Sequence, residues 1–332
     1  MGRSALRGRR EQNAGDSHRG QPVRSGPIAH RHLPPDQVFH REFRHRLGRL
    51  THRRQREEYV MAALERITGH YVTVNNTRIF FDEVGEGTPF IGVHTAGADS
   101  REYQYLLPEM ADRGYRAIAV DLPGHSRSYP VNWEPYRTIH DLAEFVYQFA
   151  REVLGEEKAV VAGCSIGGCI AFDLAAHHSN DFQAIVAMEG LAWGAPILPY
   201  PAESEQPSWS TLWKPFLEFA ATDSLGKPTL ANKDKVTELW WQHQNAQQCG
   251  NSDIQAWASH DVRGKLGNVQ CPVLVVAGRD DFWVPEQLVR QAAEEIGDRA
   301  EVRMLEGIGH YPMFEDPRGI AELIDEFVKN HV

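Results

Sequence analysis

The sequence predicts an α/β fold, with a mostly parallel sheet, helices on both faces and a helical cap inserted after strand 6. From residue 70 onward, apolar runs of strand length alternate with stretches of helical periodicity, the pattern typical of a parallel sheet. Over residues 191–262 this alternation stops, and prolines at 196, 199, 201 and 207 lead into helical patterns without a strand. We therefore expect a first core segment at 61–190, the cap at 191–262 and a second core segment at 263–332.

Each element of the core has its own local signal. An opening hairpin is predicted because residues 71–74 and 78–81 alternate around Asn75, Asn76 and Thr77, which favour a tight turn. Further strands are predicted from apolar runs at 90–94, 117–120, 159–162, 184–188, 273–277 and 302–305. Helices are predicted at 103–112, 140–153, 166–177, 286–296 and 318–328.

The cap is rich in aromatic residues. Six of the chain's eight tryptophans lie between 191 and 262. Two helical stripes are predicted: Trp209, Leu212, Trp213, Phe216 and Ala220 with a kink at Pro215, and Val236, Leu239, Trp240 and His243. Any single ring is better explained as packing between cap helices, but together they favour an apolar, aromatic substrate between cap and sheet. The substrate-binding candidates are Trp193, Trp213, Trp240 and Tyr311.

Composition narrows the class of protein. A chain of 332 residues with 42% hydrophobic residues can bury a large core, as one domain with an insertion or as two small domains. Four cysteines without a C-x-x-C pair make no disulfide framework, so we expect a reducing, cytoplasmic setting and no zinc. We expect no cofactor, no nucleic acid and no membrane partner, and leave a homodimer open.

The strongest chemical signal is the sequence Gly163-Cys164-Ser165-Ile166-Gly167 between a predicted strand and a predicted helix. A serine hydroxyl is a weak nucleophile, so it needs a sharp turn that exposes it, a neighbouring base and backbone donors for the developing charge. Glycines on both sides of Ser165 leave room for such a turn.

Four other segments carry matching chemistry in the required chain order. The run 90–94 leads into small residues at 95–98, where backbone N–H groups can approach an oxyanion. The run 117–120 ends in a Pro-Gly turn, and 273–277 ends in a loop containing Asp280 and Asp281. The last run, 302–305, leads into a loop containing His310.

With the motifs HTAGA, DLPGHSRS, GCSIGG, GRDDFWVP and GIGHYP, residues 70–331 resemble the α/β hydrolase superfamily in its capped serine hydrolase branch. The resemblance implies Ser165 as nucleophile, His310 as general base and then acid, and Asp281 as the acid that orients the imidazole. It implies the backbone N–H groups of Ile166 and Ala96 as oxyanion donors.

The chain departs from this family at two places. Many relatives have His-Gly where this chain has His94-Thr95, and a β-branched residue restricts the backbone there. Glu189 ends the run 184–188, another strand end from which some members supply the acid, so Glu189 is the alternative to Asp281.

Neighbouring polar residues receive structural roles. We expect Asp280 to cap or brace a loop, and His94 and His125 to brace loops by hydrogen bonding rather than to act in chemistry. Cys164 flanks the nucleophile but is expected to point away from it.

The resulting functional prediction is an acyl-enzyme hydrolase for a carboxylic ester or lactone with an apolar, aromatic body. The position of Glu189 is similar to that of the acid in the zearalenone hydrolases, which open an aromatic macrolactone. Two alternatives remain: a carbon–carbon bond hydrolase of ring-cleavage products, which uses the same triad, and a non-catalytic small-molecule receptor. Epoxide hydrolase and haloalkane dehalogenase chemistry is disfavoured because it needs a carboxylate where Ser165 stands.

The first sixty residues differ sharply from the rest. They contain 14 Arg, no Lys and 6 acidic residues, a net charge of +8, whereas the whole chain has −10. They lack an apolar segment and a helical period, so we predict a disordered extension rather than a signal peptide. An Arg-rich arm can bind phosphate, but Arg without Lys favours a translated leader. The purine-rich codons of Arg56, Glu57 and Glu58 would then be a ribosome-binding site before a native start at Met61.

Removal of residues 1–60 is therefore expected to leave folding and catalysis unchanged. Thermal unfolding and fluorophosphonate labelling of the full chain and of a chain beginning at Met61 measure both properties. Loss of labelling in the shorter chain would show that the arm belongs to the working protein.

Overall fold

The fold is built on one eight-stranded sheet within the residues that the computed structural model describes, 65–194, 224–242 and 247–332. Its strands are β1 (Thr68–Val74), β2 (Thr77–Val84), β3 (Thr88–Val93), β4 (Tyr115–Val120), β5 (Val160–Cys164), β6 (Ala184–Met188), β7 (Val273–Gly278) and β8 (Ala300–Leu305). They lie in the order β1-β2-β4-β3-β5-β6-β7-β8, and all pairs from β4 to β8 are parallel. The predicted mostly parallel sheet is confirmed.

The antiparallel part of the sheet consists of the opening hairpin and its pairing with β4. β1 pairs with β2 from Thr68 opposite Glu83 to Val74 opposite Thr77. Asn75 and Asn76 both have positive φ, 50° and 58°, as a tight hairpin turn requires. β2 then pairs antiparallel with β4 and joins the hairpin to the parallel strands.

Helices cover both faces of the sheet, as predicted. They are α1 (Leu106–Ala111), α2 (Ile139–Leu154), α3 (Ile166–His178), α4 (Lys227–Leu230), α5 (Lys233–Gln242), α6 (Gln247–Ser259), α7 (Glu286–Ile296), α8 (Pro312–Glu315) and α9 (Pro317–His331). On one face, α2, α3 and α7 pack on side chains such as Val161 and Val275. On the other face, α1 and α9 pack on Val160 and Val276. These residues adjoin Val161 and Val275 in sequence, and successive strand residues point to opposite faces. No described helix has the length and apolarity to cross a bilayer.

The predicted cap region enters and leaves the core through a short antiparallel neck. Between β6 and β7, the described residues form α4, α5 and α6, and Trp193 bridges to Asp261. Gly194 N donates to His260 O at 2.7 Å, and Val262 N donates to Ala192 O at 2.9 Å. The first predicted stripe, 209–220, and His243 of the second lie outside the described residues, as does the extension 1–60. The predicted domain boundaries stay predictions.

His260, buried in this neck, is expected to make the protein sensitive to acid. Burial is the main cause that lowers the pKa of His260 from 6.5 to about 4. Below pH 6.5 the unfolded chain therefore binds a proton that the native state takes up only near pH 4. The free energy of unfolding should fall through this window by up to about 3 kcal/mol.

Urea unfolding at pH 7 and pH 4.5 measures this effect on the wild type and on His260→Leu. The variant should lose less stability between the two pH values. His70→Leu, at an exposed histidine of β1, is the control and should behave as the wild type does. Equal acid sensitivity of the wild type and His260→Leu would contradict the assignment.

Candidate active site

The candidate residues lie beyond the carboxyl ends of neighbouring strands. Ser165 follows β5, Glu189 follows β6, Asp281 follows β7 and His310 follows β8. Because these strands are parallel and adjacent, their carboxyl ends share one edge of the sheet, the edge where open α/β sheets bind ligands.

Ser165 occupies a strained turn between β5 and α3. Its backbone has φ 58° and ψ −114°, outside the regions that a side chain ordinarily adopts. The flanking glycines are required by close approach: a Cβ on Gly163 would lie 1.9 Å from Gly167 O, and one on Gly167 would lie 2.2 Å from Val93 O. The turn therefore presents the hydroxyl at the sheet edge, beside the end of β3.

His310 and Asp281 form a buried hydrogen-bonded pair. His310 Nδ1 donates to Asp281 Oδ2 at 2.7 Å, and Asp281 Oδ1 accepts from Trp283 N at 2.7 Å. The proton on Nδ1 leaves Nε2 of the imidazole free to act as a base. The pair is held near the Ser165 turn, because Cys164 Sγ, on the residue before Ser165, donates to His310 O at 3.2 Å.

Glu189 lies close to this pair. Its carboxyl, Asp281 and His310 offer atoms within 4.8 Å of one another, and Gly278 N donates to Glu189 Oε1. Burial, then the charge of Asp281 and a hydrogen bond with it, raise the pKa of Glu189 well above its ordinary value. A protonated Glu189 can donate to the Asp281 carboxylate, since its Oε2 has no other hydrogen-bond partner among the described residues. The structure thus brings together both acids that the sequence offered, and of these two it is Asp281 that hydrogen-bonds the imidazole.

Asp280 faces away from the imidazole. Its Oδ2 accepts a hydrogen bond of 3.0 Å from Lys227 N, in the first turn of α4, and its backbone N donates to Ile308 O at 3.0 Å. It therefore has the bracing role expected of it.

The loop 94–98 after β3 carries one of the two predicted oxyanion donors. Thr95 donates through N and Oγ1 to the buried Glu102, at 2.9 and 2.7 Å. His94 Nδ1 donates to Thr95 O at 2.8 Å, and its Nε2 accepts from Leu122 N at 3.0 Å, so His94 is neutral. Burial, and then the charge of His125, lower the pKa of His94, in agreement with this tautomer. The β-branched Thr95 is therefore held in place by the Glu102 carboxylate, a partner that the motif itself does not contain.

Ala96 N is flanked by two backbone donors that are already bonded. Thr95 N is bound by Glu102, and Gly97 N donates to Asp253 Oδ2 at 2.9 Å. Within the described part of the chain, neither Ala96 N nor Ile166 N donates a hydrogen bond. Ile166 begins α3, where the first N–H groups have no helical partner and the helix dipole favours an anion. A Cβ on Gly167 would also lie 2.9 Å from His94 O, so these two donor segments adjoin.

The predicted substrate-binding aromatics occupy different environments. Tyr311 is buried, and its ring meets that of His310 edge-on at 5.3 Å. Trp193 lies in the neck under the Arg263 guanidinium, 4.8 Å from the ring centroid. Trp240 is 37% exposed on α5, and Trp213 lies outside the described residues. Contact of these rings with a substrate stays a prediction.

A second cluster of titratable groups lies on α2 and α3, away from the Ser165 turn. Asp173 Oδ1 accepts from His140 Nδ1 at 2.8 Å and from His177 Nδ1 at 2.9 Å. Lys265 Nζ lies 3.2 Å from His177 Nε2. These ligand types could hold a metal ion, but the two imidazoles and the ammonium already form a satisfied hydrogen-bond network.

Comparison with known proteins identifies the family. The Alpha/beta hydrolase family matches residues 90–323, so the chain belongs to it. A 2-hydroxy-6-oxo-6-phenylhexa-2,4-dienoate hydrolase of Burkholderia cepacia is 26% identical over 290 residues, 80% of this chain and 98% of that one.

Solved structures share the fold. A thermophilic esterase of Thermogutta terrifontis matches with a TM-score of 0.69 and 20% identity, over 80% of this chain and 100% of the esterase. The enol-lactonase of Burkholderia xenovorans LB400 matches with a TM-score of 0.68 and 20% identity, over 78% of this chain and 100% of the lactonase.

Substitution of the two acids should affect the base differently. Asp281→Asn removes the carboxylate that fixes the Nδ1–H tautomer of His310, so fluorophosphonate labelling of Ser165 should slow by about a thousandfold or more. Glu189→Gln keeps a donor toward Asp281 and should slow labelling by less than about tenfold. Labelling rates at pH 7.5 measure both changes, and the reverse ranking would make Glu189 the triad acid.

Proposed function

We propose that the protein is a serine hydrolase that cleaves a carboxylic ester or lactone with an apolar, aromatic body. The observation that carries the proposal is the left-handed backbone of Ser165 at the end of β5, which only a tight strand-to-helix turn explains. The hydrogen-bonded pair of His310 and Asp281 beside it supports the same chemistry.

The first half of the reaction forms an acyl-enzyme. Ser165 Oγ attacks the substrate carbonyl carbon while His310 Nε2 takes its proton, and the carbonyl oxygen becomes an oxyanion. Ile166 N and Ala96 N donate to that oxygen, helped by the positive end of α3. His310 then gives its proton to the leaving alcohol or ring oxygen, and the C–O bond breaks.

The second half releases the acid. His310 takes a proton from water, the hydroxide attacks the acyl carbon, and the proton returns to Ser165 as the ester bond to the enzyme breaks. Each time His310 becomes a cation, the Asp281 carboxylate stabilises it across the 2.7 Å hydrogen bond. Protonated Glu189 keeps this site at a single negative charge, because two carboxylates so close cannot both ionise at neutral pH.

The substrate class is argued from the aromatic insertion and the relatives. Tyr311, next to His310, is buried with its ring edge-on to the imidazole, and six of the chain's eight tryptophans lie in the insertion between β6 and β7. Such side chains favour an apolar ligand with few polar groups. The esterase and enol-lactonase that share the fold act on the two bond types proposed here, which supports the choice without deciding between them.

A carbon–carbon bond hydrolase is the second candidate. The Burkholderia cepacia relative, 26% identical, is named for hydrolysis of a phenyl-substituted oxo-dienoate, a compound with an aromatic body. Such a reaction needs the same serine, histidine and acid, so the geometry of the triad supports both candidates.

Labelling by a fluorophosphonate tests the class of reaction. Intact mass should show one phosphonyl adduct on the wild type and none on Ser165→Ala. Ser126→Ala is the matched control, because Ser126 also has positive φ, 44°, but lies in the loop after β4. An unlabelled, folded wild type would exclude an activated serine and favour the receptor alternative.

A substrate panel tests the bond that is cleaved. Aryl esters, aromatic lactones and vinylogous diketones are compared by kcat/KM on the wild type and Ser165→Ala. Turnover of esters or lactones at least about a hundredfold above the diketones is expected. Turnover of diketones with no activity toward esters would establish the second candidate in place of the first.

A further inference from the structure

Helix α6 of the insertion makes a polar contact with the catalytic loops that the triad does not explain. Asp253, which is 1% exposed, accepts from Gly97 N at 2.9 Å, 156 residues away in sequence, through Oδ2. The same oxygen lies 2.9 Å from His125 Nε2, in the loop after β4. A buried carboxylate of the insertion therefore joins the loop after β3, which adjoins the Ser165 turn, to the loop after β4.

The geometry of His125 indicates an imidazolium. Its Nε2 faces the Asp253 carboxylate and its Nδ1 faces Pro123 O at 3.2 Å, so both ring nitrogens meet acceptors and both need a proton. Burial opposes this charge, but the charge and hydrogen bond of Asp253 outweigh it and raise the pKa of His125 above its ordinary value. The other groups that face the pair are neutral His94, Asp121, which pairs with Arg127, and the Cys249 thiol.

A close backbone approach shows that α6 is fitted to this place. A Cβ on Gly124 would lie 2.4 Å from Cys249 Sγ, and Gly124 also has a positive φ of 82°. Cys249 Sγ contacts Pro123 O at 3.7 Å. The start of α6 therefore packs directly on the Pro-Gly turn after β4. Asp253 lies one helical turn further along the same helix.

We propose that Asp253 is a positioning residue of the oxyanion hole: it fixes the loop 94–98 through Gly97 N so that Ala96 N faces the reacting carbonyl, while His125 neutralises its charge. This inference rests on the proposed serine hydrolase function. Glu102 holds Thr95 on the other side, so Ala96 N is the backbone donor between two fixed neighbours. Without the imidazolium, a buried negative charge would lie next to the donor and oppose an oxyanion. The hole is then complete only when α6 of the insertion is seated.

The test compares Asp253→Ala and Asp253→Asn with the wild type. Ala removes the acceptor of Gly97 N, so fluorophosphonate labelling and kcat for an aryl ester should fall by about 30- to 100-fold, with KM changed less than about threefold. Asn keeps an acceptor for Gly97 N and should recover to within about tenfold of the wild type. Asp173→Asn is the matched control, because it disturbs another buried carboxylate paired with histidines, far along α3. It should lower stability but leave kcat unchanged.

The pH profile separates positioning from mere packing. The pKa of His125 is raised above its ordinary value, so the imidazolium loses its proton only at alkaline pH. In the wild type the labelling rate should fall as that proton is lost. In Asp253→Asn and in His125→Gln this alkaline fall should be absent. An alkaline fall unchanged in both variants, or wild-type kcat in Asp253→Ala, would overturn the inference. If Asp253→Ala does not fold, the profile of Asp253→Asn decides.

The two hypotheses fail in different ways. A wild type that takes no adduct on Ser165 contradicts the proposed function before any variant is made. A wild type that is labelled, with Asp253 variants labelled at the same rate and the same pH profile, leaves the function standing and removes only the role of Asp253.

Discussion

The turn at Ser165 is the constraint on which the rest of the site depends. A non-glycine residue at φ 58° costs roughly 1–3 kcal/mol, and it persists because the surrounding backbone leaves no other path. Gly163 and Gly167 allow the turn to close, and Gly168 allows α3 to approach β6, since a Cβ there would lie 2.5 Å from Met188 O. The same contacts bring the ends of β3 and β6 to the Ser165 turn. The positions of the loop 94–98 and of Glu189 are therefore set by the packing of one helix start against the sheet.

Buried charge in this site is distributed in pairs. Asp281 faces an imidazole on one side and a protonated glutamic acid on the other, and Asp253 faces an imidazolium and a backbone N–H. A lone carboxylate in so little water would cost several kcal/mol, so each acid requires its partner. The ring centroids of His94 and His125 are 4.8 Å apart, and the two rings do not repel each other because only one of them is charged. Reading the site residue by residue would miss this balance.

Much of the fold follows from periodicity, because its strands are short apolar runs separated by amphipathic helices, and observed bounds differ from predicted ones by a few residues. The hairpin follows from Asn75 and Asn76, whose side chains tolerate positive φ. The Ser165 turn and the loops of Asp281 and His310 carry local motifs, so the sequence also indicates them. Glu102 and Asp253 could not be found in this way. Asp253 meets Gly97 across 156 residues, and nothing in the composition of α6 distinguishes this aspartate from an exposed one.

The contact between α6 and the loop 94–98 limits how freely this scaffold can be altered. Enzymes of one fold commonly acquire new specificities by replacing the segment over the active site while the sheet and its catalytic groups stay the same. Here the segment between β6 and β7 also supplies a ligand for Gly97 N. A grafted segment from a relative would need a carboxylate at the place of Asp253, or a compensating change at His125, before it could alter selectivity without loss of rate. If Asp253 positions the loop 94–98 as proposed, a change of specificity in this segment also changes the rate.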